Sequence, residues 1–479
     1  MSLPNQSVPT SRPGGAVHRS AAVFRSPRSL PSGERRPPFL PGGRAGHPGV
    51  FLLCLFGLLA GVACPVLAEL PLDIPLVQRL GTGARPLGMG GAYTAVSDDA
   101  FALLYNPAGL AQVRRIEVTA GLQKRSNKNL VAYLGEGSES PLSRSHIQSL
   151  GFVYPFPTYR GSLVMGLSYE RVAPLDNEYF RSGFNAVEEE TEELLDDGSV
   201  GAYQAGLALE VSENLALGFT ARLLSGDWQR DWSLNYLDEH GENWETSTVS
   251  TSFDASAVSG TLGLLVRGRQ GLRLGLALHL PEQYDLELES SQLIRWQRVA
   301  GTDTSSFYDE EPYYETVTEE IDLPLRFSGG VSYAPSGRFA GLLLSVDATY
   351  SDWQEVDYDG PLRMDNRDFA YRPTTDLRVG AEYAFSAAPV RVRAGFIRQP
   401  LAYKPIVTNL FYGEYEEARI ETDRHYWTVG AGVLVDRSLT IDVAYLDGGY
   451  TRTDRSGGGS IIEEEVEESR LILGAAVRW

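Results

Sequence analysis

Alternation with period two runs through this chain from residue 116 onward, and no other feature narrows its fold as much. In SRLILGAAVRW, Leu471, Leu473, Ala475, Val477 and Trp479 fall on one face, while Ile472, Gly474, Ala476 and Arg478 fall on the other. Fourteen segments read this way: roughly 116–124, 146–156, 161–172, 199–211, 214–226, 254–268, 271–290, 319–334, 340–352, 374–386, 389–398, 424–436, 438–449 and 465–479. The second, fourth and later even-numbered strands are followed by very short turns such as Ser212-Glu213 or Arg269-Gln270, the odd-numbered ones by long polar loops. Sorting connections by length onto two ends is the organisation of a membrane barrel. Soluble sandwiches and propellers do not sort theirs so strictly. The reading is therefore all-β: a 14-stranded antiparallel transmembrane β-barrel over residues 116–479.

The two faces agree with this. Leu215, Leu217, Phe219 and Leu223, then Leu323, Leu325, Phe327, Val331 and Tyr333, then Trp427, Val429, Val433 and Val435 are expected to face lipid. The opposite face carries Gly and Ala with Arg222, Arg326, Asp347, Arg378, Glu382, Arg391, Arg393, Asp442 and Arg478. Those charges belong in the lumen, because a charge near the bilayer midplane costs about 2–4 kcal/mol. Arg378, Glu382, Arg391 and Arg393 sit on adjacent expected strands, which favours pairing with one another.

Residues 1–68 differ from all that follows. Seven arginines stand there against one acid, Glu34, before the apolar run VFLLCLFGLLAGVACPVLA. This is the pattern of a secretory signal peptide cleaved after Ala68. The 49 residues before the run are long for its basic region and point to an upstream start codon. Gly61 stands where a lipoprotein signal carries Leu, which weighs against acylation at Cys64. Without the leader the chain keeps 35 basic and 61 acidic residues, a formal net charge of −26. Nucleic acid is not an expected partner. Both cysteines, Cys54 and Cys64, lie in the leader, so the exported chain has no disulfide and no Cys-ligated metal.

Residues 69–115 do not alternate. Ser97, Asp98 and Asp99 read as an N-cap and acidic first turn for a helix over Ala100–Tyr105 that Pro107 ends. GTGARPLG has neither a preceding βαβ unit nor a Lys-Ser/Thr pair, so a nucleotide loop is a poor reading. A strand and turn that pack anywhere remain the bland alternative. The acidic clusters Glu188 to Asp197 and Glu463 to Glu468 fall in expected long loops and match no calcium-loop spacing. Of the four histidines outside the leader, none is brought convincingly to a serine by the expected strands, so no hydrolase triad is expected.

Met89-Gly90-Gly91-Ala92-Tyr93, Asp98-Asp99-Ala100 and Asn106-Pro107-Ala108 resemble the N-terminal hatch signature of the FadL/TodX outer-membrane transporters of hydrophobic compounds. The stretches Asp322–Trp353, Leu377–Phe396 and Asp423–Tyr445 resemble that family's later hairpins. The resemblance implies a fourteen-stranded barrel in the bacterial outer membrane, plugged by residues 69–115. Gly90, Gly91, Asp98, Asp99, Asn106, Pro107 and Ala108 would hold or gate the plug. It implies passive uptake of a fatty-acid-like apolar ligand, with lateral exit at strand 3, where Gly161 and Gly166 would permit a kink. A ligand carboxylate would meet Arg378, Arg391 or Arg393, beside Glu382. The other expected partners are outer-membrane lipid and lipopolysaccharide; a monomer is expected, with no cofactor, no metal and no enzymatic activity. PorV-like carrier or docking proteins of type IX secretion resemble the same barrel and stay open as an alternative, as does a purely structural barrel.

Overall fold

The computed structural model describes residues 79–479 except 186, 301–303, 310–312, 360–370, 404–405, 411–413, 437 and 456–459. The expected leader, with Cys54 and Cys64, lies outside the described residues. Fourteen antiparallel strands form one ring. They are β1 Glu117–Tyr133, β2 Glu136–Phe156, β3 Leu163–Pro174, β4 Glu188–Ser212, β5 Leu215–Asp238 and β6 Trp244–Arg267. Next come β7, in two pieces Leu272–His279 and Glu282–Ala300, and β8, in two pieces Tyr313–Leu323 and Arg326–Tyr333. The ring continues through β9 Leu342–Asp352, β10 Pro373–Ala384, β11 Val390–Gln399, β12 Arg424–Leu434, β13 Leu439–Arg455 and β14 Ile461–Arg478. It closes where β1 pairs with β14, from Glu117↔Arg478 to Tyr133↔Ile462. Closure leaves the membrane-level sheet without a free edge, the condition for a sheet in lipid.

The fourteen strands and the end bearing short turns agree with the sequence pattern. The long loops do not. β1 and β2 meet across only Leu134-Gly135, and β4 runs for 25 residues against β5 for 24. At ~3.3 Å per residue β4 spans roughly 80 Å, far beyond the 9–11 residues a bilayer needs. The polar stretches, including Glu188 to Asp197 and Glu463 to Glu468, are strand extensions. Their alternation is weak because both faces of a sheet outside the bilayer tolerate polar residues, while the backbone ladder continues regardless.

The apolar face of the sheet changes from outward to inward partway up; β5 and β6 keep one parity while the residues on each face change. Near the short turns, Leu217, Phe219, Leu223, Leu274, Leu276 and Phe327 point outward. Further up, Leu224, Trp228, Phe253, Tyr284, Leu286, Leu288, Ile321 and Leu323 form one buried apolar cluster, while Asp227, Asp254, Asp285 and Glu287 are exposed. Lipid outside requires an apolar outer face; water outside favours an apolar inner one. β7 and β8 make the change by breaking at Leu280-Pro281 and Pro324-Leu325, which stand opposite each other in the same register. Proline cannot donate to the ladder, so a break is favoured at both places. Leu323, expected to face lipid, is consequently buried.

Residues 79–115 pack against the inward face of the ring. They contain helix α1 Ala84–Gly88, helix α2 Ala102–Tyr105 and a 3-10 turn Pro107–Gln112. Glycines on the strands make room. A Cβ at Gly263 would collide with the Asn106 carboxamide, and one at Gly395 with the Gly90 backbone. The helix expected at Ala100 starts two residues later and Ser97 does not cap it. Ser97 Oγ donates to the Tyr93 carbonyl (2.7 Å), and Asp99 Oδ1 accepts from the Phe101 amide (3.1 Å) in a local turn.

Candidate functional site

The N-terminal segment is fixed to the wall at several points. Asn106 donates from Nδ2 to the Thr94 carbonyl (2.8 Å) and the Leu264 carbonyl of β6 (3.1 Å), and its Oδ1 accepts from the Ala108 amide (3.2 Å). Pro107 and Ala108 are buried against Gly218 and Gly263. Gly90 (φ +62) donates to Thr428 Oγ1 of β12 (3.0 Å), and Gly91 (φ +68) lies beside Arg378. Both backbones occupy the left-handed region, where glycine carries no Cβ penalty. On another side Thr82 Oγ1 donates to Glu170 of β3, and the Thr94 amide donates to Asp347 of β9 (2.6 Å).

Two charged knots flank the segment. In the first, Arg85 pairs with Asp98 and Asp99 of the same segment and with Glu382 of β10 (3.1 Å). Glu382 also pairs with Arg393 (2.7 Å) and Arg391 (3.5 Å), and Arg393 reaches Asp442 (2.6 Å). Burial pushes the Asp99 carboxyl above the usual carboxylate range; Glu117 and Asp98 add to this and Arg85 opposes it. Asp99 accepts from the Tyr93 hydroxyl at 2.6 Å. Asp98 and Asp99 therefore face Arg85 and do not act as a helix cap.

The second knot was not legible as a site in the sequence. Glu282, 2% exposed, receives both guanidinium nitrogens of Arg79 (2.8 and 2.6 Å) and contacts Arg326 (3.0 Å) and Arg222 (3.5 Å). Three guanidiniums surround one carboxylate. Beside them lies a cavity floored by Arg79, Gly91, Leu104 and Tyr105, with Arg222, His279, Arg326, Asp347 and Arg378 on its walls. Val172, Trp353, Tyr371, Leu401 and Tyr403 line its other side and join the apolar cluster above. Arg378 donates to the Arg79 and Leu80 carbonyls (3.0 and 3.4 Å), while its Nε has no partner. The buried Asp347 Oδ1 is also unpartnered.

Of the four expected lumen charges, Glu382, Arg391 and Arg393 do pair, but Arg378 stands apart on this cavity. Arg391 and Arg393 line a different cavity toward the short turns. Gly161 and Gly166 are likewise not at a kink. Gly161 is in the β2–β3 turn, and Gly166 pairs regularly with Val153 and Gly206, under Leu103. The irregularity in β3 is between Arg171 and Ala173, just past Ser149↔Glu170, where the β2–β3 ladder ends.

No protein-family model and no curated protein sequence matches this chain. Solved structures do. The P. putida toluene transporter TodX superposes with a TM-score of 0.59 at 14% identity, covering 84% of this chain and 99% of that one. A Pseudomonas aeruginosa FadL homologue gives 0.58 at 14% with the same coverage, and the Ralstonia pickettii toluene transporter TbuX gives 0.51 at 15%. The chain has the fold of these transporters. Nearly the whole of each FadL/TodX-type barrel is matched, so the shared part includes the complete ring.

Proposed function

We propose that this barrel is a bacterial outer-membrane channel for passive uptake of hydrophobic compounds such as long-chain fatty acids, working as a monomer with its short turns toward the periplasm. The observation that carries the reading is the apolar lumen above the bilayer-facing belt. Trp228 and Phe253 stack at 4.5 Å among Leu224, Leu286, Leu288 and Ile321, and this lining runs down to the arginine-bordered cavity. An aqueous pore has no use for such an interior. An apolar ligand gains about 0.8 kcal/mol per methylene on entering it. A carboxylate head would then meet Arg378 and the Arg79, Arg222 and Arg326 group by charge-assisted hydrogen bonds. Residues 79–115 serve as the hatch, held through Asn106, Pro107, Ala108, Gly90, Gly91, Asp98 and Asp99. Exit is sideways past the end of the β2–β3 ladder. The fold shared with the toluene transporters supports the same class of cargo.

The test is uptake of a labelled long-chain fatty acid by cells carrying the intact barrel, an empty vector, or a barrel with Trp228→Asp and Phe253→Asp, at matched surface levels. Uptake is expected with the intact barrel and not with the double variant. No uptake above vector, for fatty acid and toluene alike, refutes the reading.

A further inference from the structure

Charge is segregated along the barrel axis. At the short-turn rim six arginines are exposed, Arg114, Arg115, Arg160, Arg269, Arg338 and Arg391, against two exposed acids, Glu213 and Asp436, among the described residues; Arg114 pairs with the less exposed Glu210 (3.0 Å) and Arg391 with Glu382 (3.5 Å). The opposite end exposes acids such as Glu136, Glu139, Glu239 and Glu465, and the whole chain carries a net charge of −20. A cationic rim on an anionic protein is not explained by overall composition.

Aromatic residues stand next to these arginines. Tyr159 precedes Arg160 and is fully exposed, and Phe339 follows Arg338 at 60% exposure. Both rings are in turns, and exposed rings at a barrel edge settle at the boundary between acyl chains and headgroups. Neighbouring Cα atoms are about 3.8 Å apart, so with a ring at that boundary the adjacent arginine side chain is within reach of the phosphate layer. Arg269, in the three-residue 3-10 turn Arg269–Gly271, is held at the same rim.

We infer that the short-turn rim is a binding surface for anionic phospholipid headgroups of the adjacent leaflet, with Arg160, Arg269 and Arg338 as the phosphate-contacting residues and Tyr159 and Phe339 setting their depth. Guanidinium suits this task because its planar donors grip phosphate in pairs. The surface is separate from the lumen, so uptake and lipid binding are independently measurable.

The test uses the full barrel in neutral detergent, titrated with phosphatidylglycerol or phosphatidylcholine and read by native mass spectrometry. The variants are R160Q/R269Q/R338Q and the charge-preserving R160K/R269K/R338K, each checked for folded migration. Phosphatidylglycerol is expected to be retained over phosphatidylcholine, with roughly a tenfold loss of that preference in the glutamine variant and a smaller loss in the lysine variant, which keeps the charge but not the paired donors. Equal retention by the glutamine variant overturns the proposal. So does arginine-dependent binding of lipopolysaccharide in place of phosphatidylglycerol, or arginine-dependent capture of an acidic periplasmic protein without lipid.

Discussion

Arg79 and Glu282, 203 residues apart, form a two-point ion pair at 2.8 and 2.6 Å that joins the N-terminal segment to β7 just beyond its break. Glu282→Gln leaves Arg79, Arg222 and Arg326 facing one another without their carboxylate. Removing one partner of a buried pair typically costs about 3–5 kcal/mol. The variant is expected to unfold at lower denaturant in detergent, and Arg79→Gln added to it is expected to cost less than the sum. Strict additivity in that double-mutant cycle would show the two residues to be uncoupled.

The inversion of faces in β8 is directly testable because neither cysteine of the chain lies beyond position 64. A fluorophore attached at Leu325→Cys is expected to be quenched by a lipid-restricted quencher. The same label at Leu323→Cys is expected to be shielded from it, though the two positions share the parity of one regular strand.

Asn106→Ala removes the donors to the Thr94 and Leu264 carbonyls and the acceptor of the Ala108 amide. A loss of about 1–3 kcal/mol is expected, read as a lower melting temperature and faster protease cleavage within residues 79–115. Gly263→Val is expected to give the same cleavage pattern from the wall side, since its side chain would displace the Asn106 carboxamide.

Arg85→Gln unties the other knot, freeing Asp98, Asp99 and Glu382 of their shared partner while Arg393 still holds Glu382. In planar bilayers the variant is expected to show a larger and noisier ion leak than the native barrel. An unchanged conductance would mean that the segment seals the lumen without this knot.

Much of this fold was legible because a sheet in lipid must alternate, and β9 to β12 do so within two residues of the expected bounds, while β13 and β14 extend six and four residues beyond theirs at the end away from the short turns. The arginine-bordered cavity was hidden by β7. In LRLGLALHLPEQYDLELE every even position from Leu272 to Leu288 except Glu282 is apolar, so a single strand places Tyr284, Leu286 and Leu288 in lipid and Glu282 with them. The break at Leu280-Pro281 turns all four inward. Proline at matched heights in two consecutive strands, Pro281 and Pro324, was the available signal. Arg79 carried none, since its partner is fixed only by the ring as a whole. The long loops were misjudged for a different reason: strand pairing outside a membrane needs no alternation to persist.

The ring is sealed by its first and last strands, and the chain that fills it comes immediately before the first. Assembly therefore has a built-in order. Until β14 arrives, β1 has an unpaired side and the filling segment has no enclosure to bind. Once the seam zips, Glu117 is held by Arg478 across it at 2.5 Å while accepting from the Ala100 amide at 3.0 Å. One carboxylate thus registers both events, so a seam out of step and a segment out of place are the same error, detectable at a single residue.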